Sequence, residues 1–198
     1  DGAGNLTIVR SYYAPYWVTA VKAVDYNQDG LPDLVTTGSI SNTLVKHKNN
    51  GNGSFTLDGL YSTTTRAYDF STGDFDIDGD QDFLVAEIDN SSGGSSSNNL
   101  VYNDGTGTMS SIPQFTNGGS SIVMTDLNAD FYLDGVAGSS QGMKFMYNNA
   151  DGGIVIDNLG STPRFLTDLA SADLNNDQFP DLVQLNLIGF LSEIHEVR

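Results

Sequence analysis

One nine-residue pattern of oxygen-bearing side chains occurs four times in the sequence, at 25–33, 74–82, 126–134 and 173–181. Each copy has Asp or Asn at its positions 1, 3, 5 and 9, and these four copies hold 14 of the 25 acidic residues of the chain. The pattern therefore marks repeated sites rather than a diffuse acidic surface. Its members are Asp25, Asn27, Asp29, Asp33, Asp74, Asp76, Asp78, Asp82, Asp126, Asn128, Asp130, Asp134, Asp173, Asn175, Asp177 and Asp181.

Oxygen ligands at alternate loop positions suit a hard cation such as Ca²⁺, which takes roughly six to eight of them. The backbone carbonyl at position 7 would add one more, which leaves the side chain there free to vary, as it does in Leu31, Asp80, Tyr132 and Phe179. An EF-hand would need Glu at position 12, where the first two copies have Thr36 and Val85. The pattern predicts up to four structural Ca²⁺ ions. The alternative, Asp and Asn turns that need no ion, stays open, and Phe131 and Gln178 in place of the loop Gly favour it in the last two copies.

Composition narrows the class of protein. The 198 residues carry a net charge of −17 with only 8 basic residues, so a nucleic-acid partner is not expected, because phosphate neutralisation needs clusters of Lys and Arg. No apolar stretch approaches the roughly 18 residues of a membrane span, so membrane insertion is not expected either. The absence of Cys excludes a disulfide scaffold and Cys catalysis.

Short β-prone runs flank every copy of the pattern. One run precedes each loop, a second follows its last Asp, and a third comes next. In the first three repeats a Gly-rich turn then leads to a fourth run. Turns such as Asn50-Gly51 and Asp104-Gly105 between such runs are strong hairpin signals. Units of four antiparallel strands that repeat every 40–50 residues or so are typical of propeller blades.

The spacing of the repeats predicts a single domain over 1–198. Successive first Asp residues are separated by 49, 52 and 47 positions, and joining the two chain ends would give a last gap of 50. We therefore expect an all-β propeller of four four-stranded blades. The last blade lacks its outer strand, and the segment 6–10 is a spare strand that completes it. That strand either closes the ring within one chain or completes a neighbouring copy by strand exchange.

The loop pattern Asp-x-Asn/Asp-x-Asp-Gly-x-x-Asp, set between strands, resembles the FG-GAP/VCBS repeat family, whose calcium-loop propeller repeats also occur in integrin α-subunit heads. The resemblance covers essentially the whole chain. It implies a calcium-binding β-propeller, although the family commonly builds larger rings of about seven blades. Two copies depart from the pattern, at Phe131 and Gln178.

Three further features could carry function. Tyr12, Tyr13, Tyr16 and Trp17 form the densest aromatic cluster, which we expect on the face opposite the calcium loops, where it either binds a sugar or protein ligand or packs between blades. Sequons at Asn5, Asn52 and Asn90 could accept N-glycans. The string 138–142 matches G-x-S-x-G, but a strand-to-strand connection lacks the elbow that hydrolases need.

These features together predict a non-catalytic module that acts outside the cell, secreted or at the cell surface, where Ca²⁺ reaches the millimolar level that weak loops need. Three versions remain open: an adhesion or recognition domain with a protein ligand, a subunit that assembles with copies of itself into filaments by strand donation, and a carbohydrate-binding lectin.

Overall fold

The computed structural model describes residues 8, 10–14, 16–89, 96–116, 119–139, 142–149, 154–159, 165–188 and 191–197. The described residues contain fifteen β-strands and no helix. The strands are β1 (Val18–Val24), β2 (Asp33–Gly38), β3 (Thr43–Asn49), β4 (Phe55–Ser62), β5 (Arg66–Gly73), β6 (Asp82–Ile88), β7 (Ser97–Asn103), β8 (Met109–Thr116), β9 (Ser121–Thr125), β10 (Asp134–Ser139), β11 (Gly142–Asn148), β12 (Ile154–Leu159), β13 (Phe165–Ala172), β14 (Asp181–Ile188) and β15 (Leu191–Val197).

The strands form four antiparallel sheets, each built from strands that are consecutive in the chain. The first sheet is β1–β4, the second β5–β8, the third β9–β12 and the fourth β13–β15, and within each sheet every strand pairs with the next. The prediction of an all-β repeat fold is confirmed. In the described residues the fourth sheet has three strands where the others have four.

Neighbouring sheets pack face to face through three apolar cores. The first strands of consecutive sheets lie side by side, β1 against β5, β5 against β9 and β9 against β13. Burying such apolar side chains stabilises the fold by about 1.5–3 kcal/mol for each large one. The first core includes Val35, Leu44, Phe70 and Phe83, the second Leu84, Leu100, Ile122 and Met146, and the third Val136, Phe145, Leu169 and Leu182.

A closed ring is not observed. Among the described residues, no packing between β13 and β1 matches that between the other neighbouring first strands. Of the spare strand expected at 6–10, residues 6, 7 and 9 lie outside the described residues. Ile8 and Arg10 are described and belong to no strand. Closure of the propeller therefore stays a prediction.

Candidate functional site

The four oxygen-rich loops occupy the same place in every sheet. Each begins directly after the first strand and ends on the first residue of the second strand, as Asp25 follows β1 and Asp33 opens β2. The hairpin between the third and fourth strands lies at the same end of the sheet, and the N–H of Asn49 reaches back to Asp33. The first two loops also touch each other, since Gln28 Nε2 donates to the carbonyl of Gly79 at 3.0 Å.

Backbone N–H groups hold the Asp and Asn side chains at positions 1, 3 and 5. In the first loop Asp25 accepts the N–H groups of Asp29 and Gly30 at 3.1 and 2.8 Å, while Asn27 accepts that of Asp29 at 3.0 Å. Asp29 in turn accepts the N–H of Leu31 at 3.1 Å. The third and fourth loops repeat this set of bonds, and the second loop repeats its contacts to Gly79 and Asp80. The loops thus turn their oxygen-bearing side chains inward through local bonds.

Two residues of each loop adopt the left-handed backbone conformation. Position 6 has a φ of 82° at Gly30 and 98° at Gly79, and a φ of 72° and 75° at its non-glycine equivalents Phe131 and Gln178. The sequence indicated this turn only through the loop Gly at position 6. It did not indicate the second left-handed residue, at position 4, which is Gln28, Ile77, Ala129 and Asn176 with φ between 56° and 68°.

The Asp at position 9 is buried and joins the loop to its sheet. Asp82 and Asp134 are fully buried; each accepts one N–H from loop position 2 and one from the last residue of the third strand. For Asp82 these donors are Phe75 and Asn103, at 2.9 and 3.0 Å. These bonds give Asp82 a structural role that the sequence did not reveal.

Several polar atoms of the first two loops are buried without a hydrogen-bond partner in the described residues. They include one carboxylate oxygen each of Asp33, Asp74 and Asp80. Burying a charged oxygen without a partner costs several kcal/mol. In the second loop, ligand oxygens of Asp74, Asp76 and Asp78 also lie within 4.8 Å of one another. The candidate metal ligands of these carboxylates are all oxygens, and the oxygens without a hydrogen-bond partner fit a divalent cation.

Electrostatics show the same surplus of negative charge in the second loop. Burial, followed by the neighbouring carboxylates of Asp78 and Asp82, raises the pKa of Asp80 to about 6. Burial also raises the pKa of Asp82 to about 6, although hydrogen bonds from Asn103 and Phe75 act against this. The pKa of Asp76 is raised as well, by burial and then by Asp78.

In the first loop a lysine offsets part of the negative charge of the carboxylates. Lys48 Nζ lies 3.0 Å from Asp29 Oδ2, and this hydrogen bond holds the pKa of Asp29 below its usual value. Lys48 is the second-last residue of β3, so the third strand places it beside the loop. The sequence pattern, which records only loop positions, did not reveal this partner.

The third and fourth loops satisfy more of their own polar groups. The Asn amide at position 3 donates to the Asp carboxylate at position 5, from Asn128 to Asp130 at 3.0 Å and from Asn175 to Asp177 at 2.9 Å. In the first loop, the equivalent amide nitrogen of Asn27 is buried and has no partner among the residues that the structure describes. The last two loops therefore hold one Asp oxygen each through a neutral amide.

The side chains at position 7 differ in burial, as expected if only the carbonyl were used. Leu31 and Tyr132 are half-buried, and Phe179 is 51 % exposed. Asp80 differs from the other three, because it is only 3 % exposed and its side chain is a fifth carboxylate in the second loop.

The aromatic cluster is not confined to the end opposite the loops. Tyr12 packs edge-on against Phe55 and His47, with ring centroids 5.6 and 6.0 Å apart, and its hydroxyl accepts the N–H of Phe55. Phe55 lies at the loop end of the sheet, so the placement predicted for the cluster is wrong for Tyr12. Tyr16 and Trp17 lead into β1 at the opposite end and are 78 and 77 % exposed, and Tyr13 is 59 % exposed.

The remaining sequence features have simple settings. Ser139 and Gly142 pair at the end of the β10–β11 hairpin, so the G-x-S-x-G string joins two strands, as predicted. Asn52 lies exposed in the β3–β4 turn, where its side-chain oxygen accepts bonds from Ser54. Asn5 and Asn90, the other two sequons, lie outside the described residues.

Comparison with known proteins identifies the repeat. The family model of the FG-GAP-like repeat matches residues 25–85, which run from the first loop through the end of the second. No curated protein matches the chain. No helix long and apolar enough to span a membrane occurs in the part of the chain that the structure describes.

Proposed function

Because the chain carries an FG-GAP-like repeat at 25–85, we propose that it is a calcium-stabilised β-repeat scaffold that acts outside the cell as a non-catalytic binding module. The observation that carries this proposal is the set of buried carboxylate oxygens of Asp33, Asp74 and Asp80 that have no hydrogen-bond partner in the described part of the chain. Repeats of this family often bind Ca²⁺, and a hard cation coordinates such oxygens.

The residues that would hold the ions are the side chains at loop positions 1, 3, 5 and 9, with the position 7 carbonyl. Bound Ca²⁺ supplies positive charge and coordinating bonds to several oxygens at once. The loop backbone holds these oxygens in place through its own N–H groups, as in the bonds from Gly30 to Asp25 and from Gly79 to Asp74. Four such ions would change the net charge from −17 to −9.

Calcium titration with thermal unfolding tests the scaffold role. We expect Ca²⁺ to raise the melting temperature and a chelator to lower it, because each site filled to about ten times its Kd adds roughly 1.4 kcal/mol. The triple variant Asp74→Asn/Asp76→Asn/Asp78→Asn should lose part of this increase. Asp157→Asn, which removes an exposed carboxylate of β12, serves as the control and should keep it. An unchanged melting temperature in chelator would contradict the proposal.

The exposed aromatic pair Tyr16 and Trp17 favours a second function, recognition of a carbohydrate or protein ligand at the end of the first sheet opposite the loops. Exposed Trp and Tyr rings stack on sugars and anchor protein partners. A glycan array separates these ligands, and Tyr16→Ala/Trp17→Ala should abolish any signal while leaving the calcium-dependent melting unchanged. Binding that survives this change would exclude the pair as the site.

Strand donation is the remaining assembly route, because the fourth sheet has three strands in the described residues. In that case a strand from another copy would pair with β15. A peptide of sequence 6–10 added in excess should then compete with assembly. Assembly that is insensitive to this peptide would argue against strand donation.

A further inference from the structure

The three junctions between neighbouring sheets repeat one pair of apolar contacts. The residue four places before each loop packs into the previous sheet: Phe70, Ile122 and Leu169 are only 0, 2 and 8 % exposed. Its partner in the previous sheet is the second residue after loop position 9. The pairs that share a core are Val35 with Phe70, Leu84 with Ile122, and Val136 with Leu169.

Hydrogen bonds accompany this contact in the second and third junctions. The N–H of Ile122 donates to Asp69 Oδ2 at 3.3 Å, and the N–H of Leu169 donates to Ser121 Oγ at 2.9 Å. In both cases the acceptor stands five places before the loop of the previous sheet. On the second and third sheets, the surface that packs against the next sheet therefore contains two recurrent features. One is a side-chain acceptor five places before the loop, and the other is an apolar residue two places after loop position 9.

The two terminal sheets each present one half of a further junction. Val21 is the equivalent of Phe70, Ile122 and Leu169, yet it is 59 % exposed. On the fourth sheet, Val183 is the equivalent of the buried Val35 and is only half-buried. A shallow apolar cavity of about 140 Å³ on this sheet is lined by Val183, Ala170, Leu185 and Asp168.

Asp168 is already arranged as an acceptor for a next sheet. Its Oδ1 accepts the N–H of Leu169 at 2.9 Å, just as Asp69 Oδ1 accepts the N–H of Phe70 at 2.8 Å. The other oxygen of Asp69 then receives Ile122 of the next sheet. By the same geometry, Asp168 Oδ2 would receive the N–H of a residue placed like Val21.

Tyr12 also marks the Val21 face as a junction. It lies 49 positions before Tyr61, which packs against the core between the first and second sheets. Tyr12 packs on His47 and Phe55. His47 pairs with Leu34, which pairs with Ala23, so these residues share the sheet face of Val21. The Val21 face therefore already carries an aromatic contact of the kind that Tyr61 makes at the first junction.

From these repeats we propose that the Val21 face of one copy docks on the Val183 face of a second copy, with Asp168 accepting the N–H of Val21. The proposal rests on the scaffold role proposed above and names a partner for it. The surfaces of this contact differ, so it is heterologous and either closes into a ring of two or more copies or continues as a filament.

Disulfide trapping tests this contact well because the chain has no Cys. Val21→Cys and Val183→Cys introduce the only two thiols, and oxidation in the presence of Ca²⁺ should give species of two or more copies on a non-reducing gel. A disulfide within one 21.2 kDa chain would overturn the proposal in favour of a ring closed by a single copy. Absence of any disulfide would also overturn it. The control pair Ile112→Cys/Val183→Cys, which uses a similarly exposed residue of β8, should not crosslink.

A charge variant separates this inference from the scaffold role. Val21→Asp should shift the mass measured by light scattering to that of a single chain, while Ile112→Asp should leave the assembly intact. The calcium-dependent melting of the Val21→Asp variant should remain. If Val21→Asp gives single chains but the unmodified protein shows no calcium-dependent melting, the scaffold proposal fails and the interface stands. If assembly survives Val21→Asp, the interface fails.

Discussion

The second and fourth loops follow the same backbone path with very different charge. The second loop has five Asp in nine residues, and it buries two oxygens, on Asp74 and Asp80, that have no partner in the described residues. The fourth loop has three Asp, and the Asn175 amide occupies one oxygen of Asp177. One path thus serves both a loop that leaves carboxylate oxygens without a hydrogen-bond partner in the described residues and a loop that satisfies more of its polar groups itself.

The comparison separates two properties of the loops that the repeat pattern does not distinguish, the shape of the turn and the affinity for a cation. Local Asx-type bonds, such as those from Asp29 to Asn27 and from Asp177 to Asn175, shape the turn in either case. The affinity for a cation depends instead on how many ionised oxygens remain without a partner. We therefore expect the first two loops to bind Ca²⁺ more tightly than the last two.

The largest effect is expected from removing the buried carboxylate at position 9. Asp82→Ala leaves the N–H groups of Phe75 and Asn103 buried and unpaired, which should cost about 3–5 kcal/mol of unfolding free energy. Asp181→Ala should cost less, because its partner Leu174 is 56 % exposed and water can replace the carboxylate. Urea unfolding in excess chelator measures both without a contribution from calcium. Equal losses would show that position 9 acts alike in the two loops.

The next effect is a pH dependence to which the second loop contributes most, although the pKa values of Asp33, Asp69 and Asp134 are raised as well. The pKa values of Asp80 and Asp82 are raised to about 6 in the folded chain, against an ordinary value of 3.8. The folded state then binds protons more tightly, so the calcium-free protein should gain stability as the pH falls from about 7 to about 4. Asp29 has a lowered pKa and adds stability that is lost only as the pH falls through and below 3.8.

Calcium should reverse this trend, since protonation of the ligands releases the ion. Thermal unfolding between pH 4 and 7, with and without Ca²⁺, measures the effect. The variant Asp80→Asn/Asp82→Asn should make the calcium-free profile shallower. A profile that is flat already in the unmodified chain would contradict the electrostatic difference between the loops.

A smaller effect is expected from position 6. Phe131 and Gln178 hold a left-handed backbone that costs a non-glycine residue about 1–2 kcal/mol, and Phe131 is 91 % exposed, so its ring buries little. Phe131→Gly and Gln178→Gly should each stabilise the chain by about 0.5–1 kcal/mol, after the entropy that Gly adds to the unfolded state.

The reverse change in the second loop provides the matched control. Gly79→Ala should cost about 1 kcal/mol, because Gly79 has a φ of 98°. Chemical unfolding with and without Ca²⁺ measures all three variants. Loss of stability in Phe131→Gly would show that the exposed ring has a packing role that the structure does not reveal.

The strands and loops could be predicted closely, because each loop separates two apolar runs at the same place in every repeat. The first strand ends at Val24, directly before Asp25, and Asp33 begins the second strand, as the repeat requires. Position 9 was identified only as a ligand. Its bonds to Phe75 and Asn103, or to their equivalents, depend on residues that the register brings together from the third strand.

Contacts across the sequence account for what could not be predicted. Lys48 lies 19 residues after Asp29, and Tyr12 lies 43 residues before Phe55, so a nine-residue pattern contains neither partner. The left-handed residue at position 4 left no trace either, because Gln, Ile, Ala and Asn share no preference for that conformation. The sequence predicted closure of the ring only from the spacing of the repeats. In the structure Val21, which a neighbouring sheet would cover, is exposed.

The smallest effect concerns Lys48, the residue that distinguishes the first loop from the second. The equivalent residues before Asn103 and Asn148 are Tyr102 and Tyr147, so Lys48→Tyr gives the first loop the side chain of its neighbours. The change removes the ammonium that occupies Asp29 Oδ2, and the calcium affinity of the first loop should rise roughly two- to fivefold.

Calorimetry in an Asp74→Asn background, which weakens the second loop, reports this affinity most directly. Lys48→Arg keeps the positive charge beside Asp29 and should leave the affinity close to that of the unmodified loop. Raising the salt concentration should narrow the difference between the Tyr and Lys forms, because an exposed ion pair is screened. If Lys48→Tyr leaves the affinity unchanged, the ammonium does not compete with the cation, and the contrast between the first two loops reduces to the number of their carboxylates.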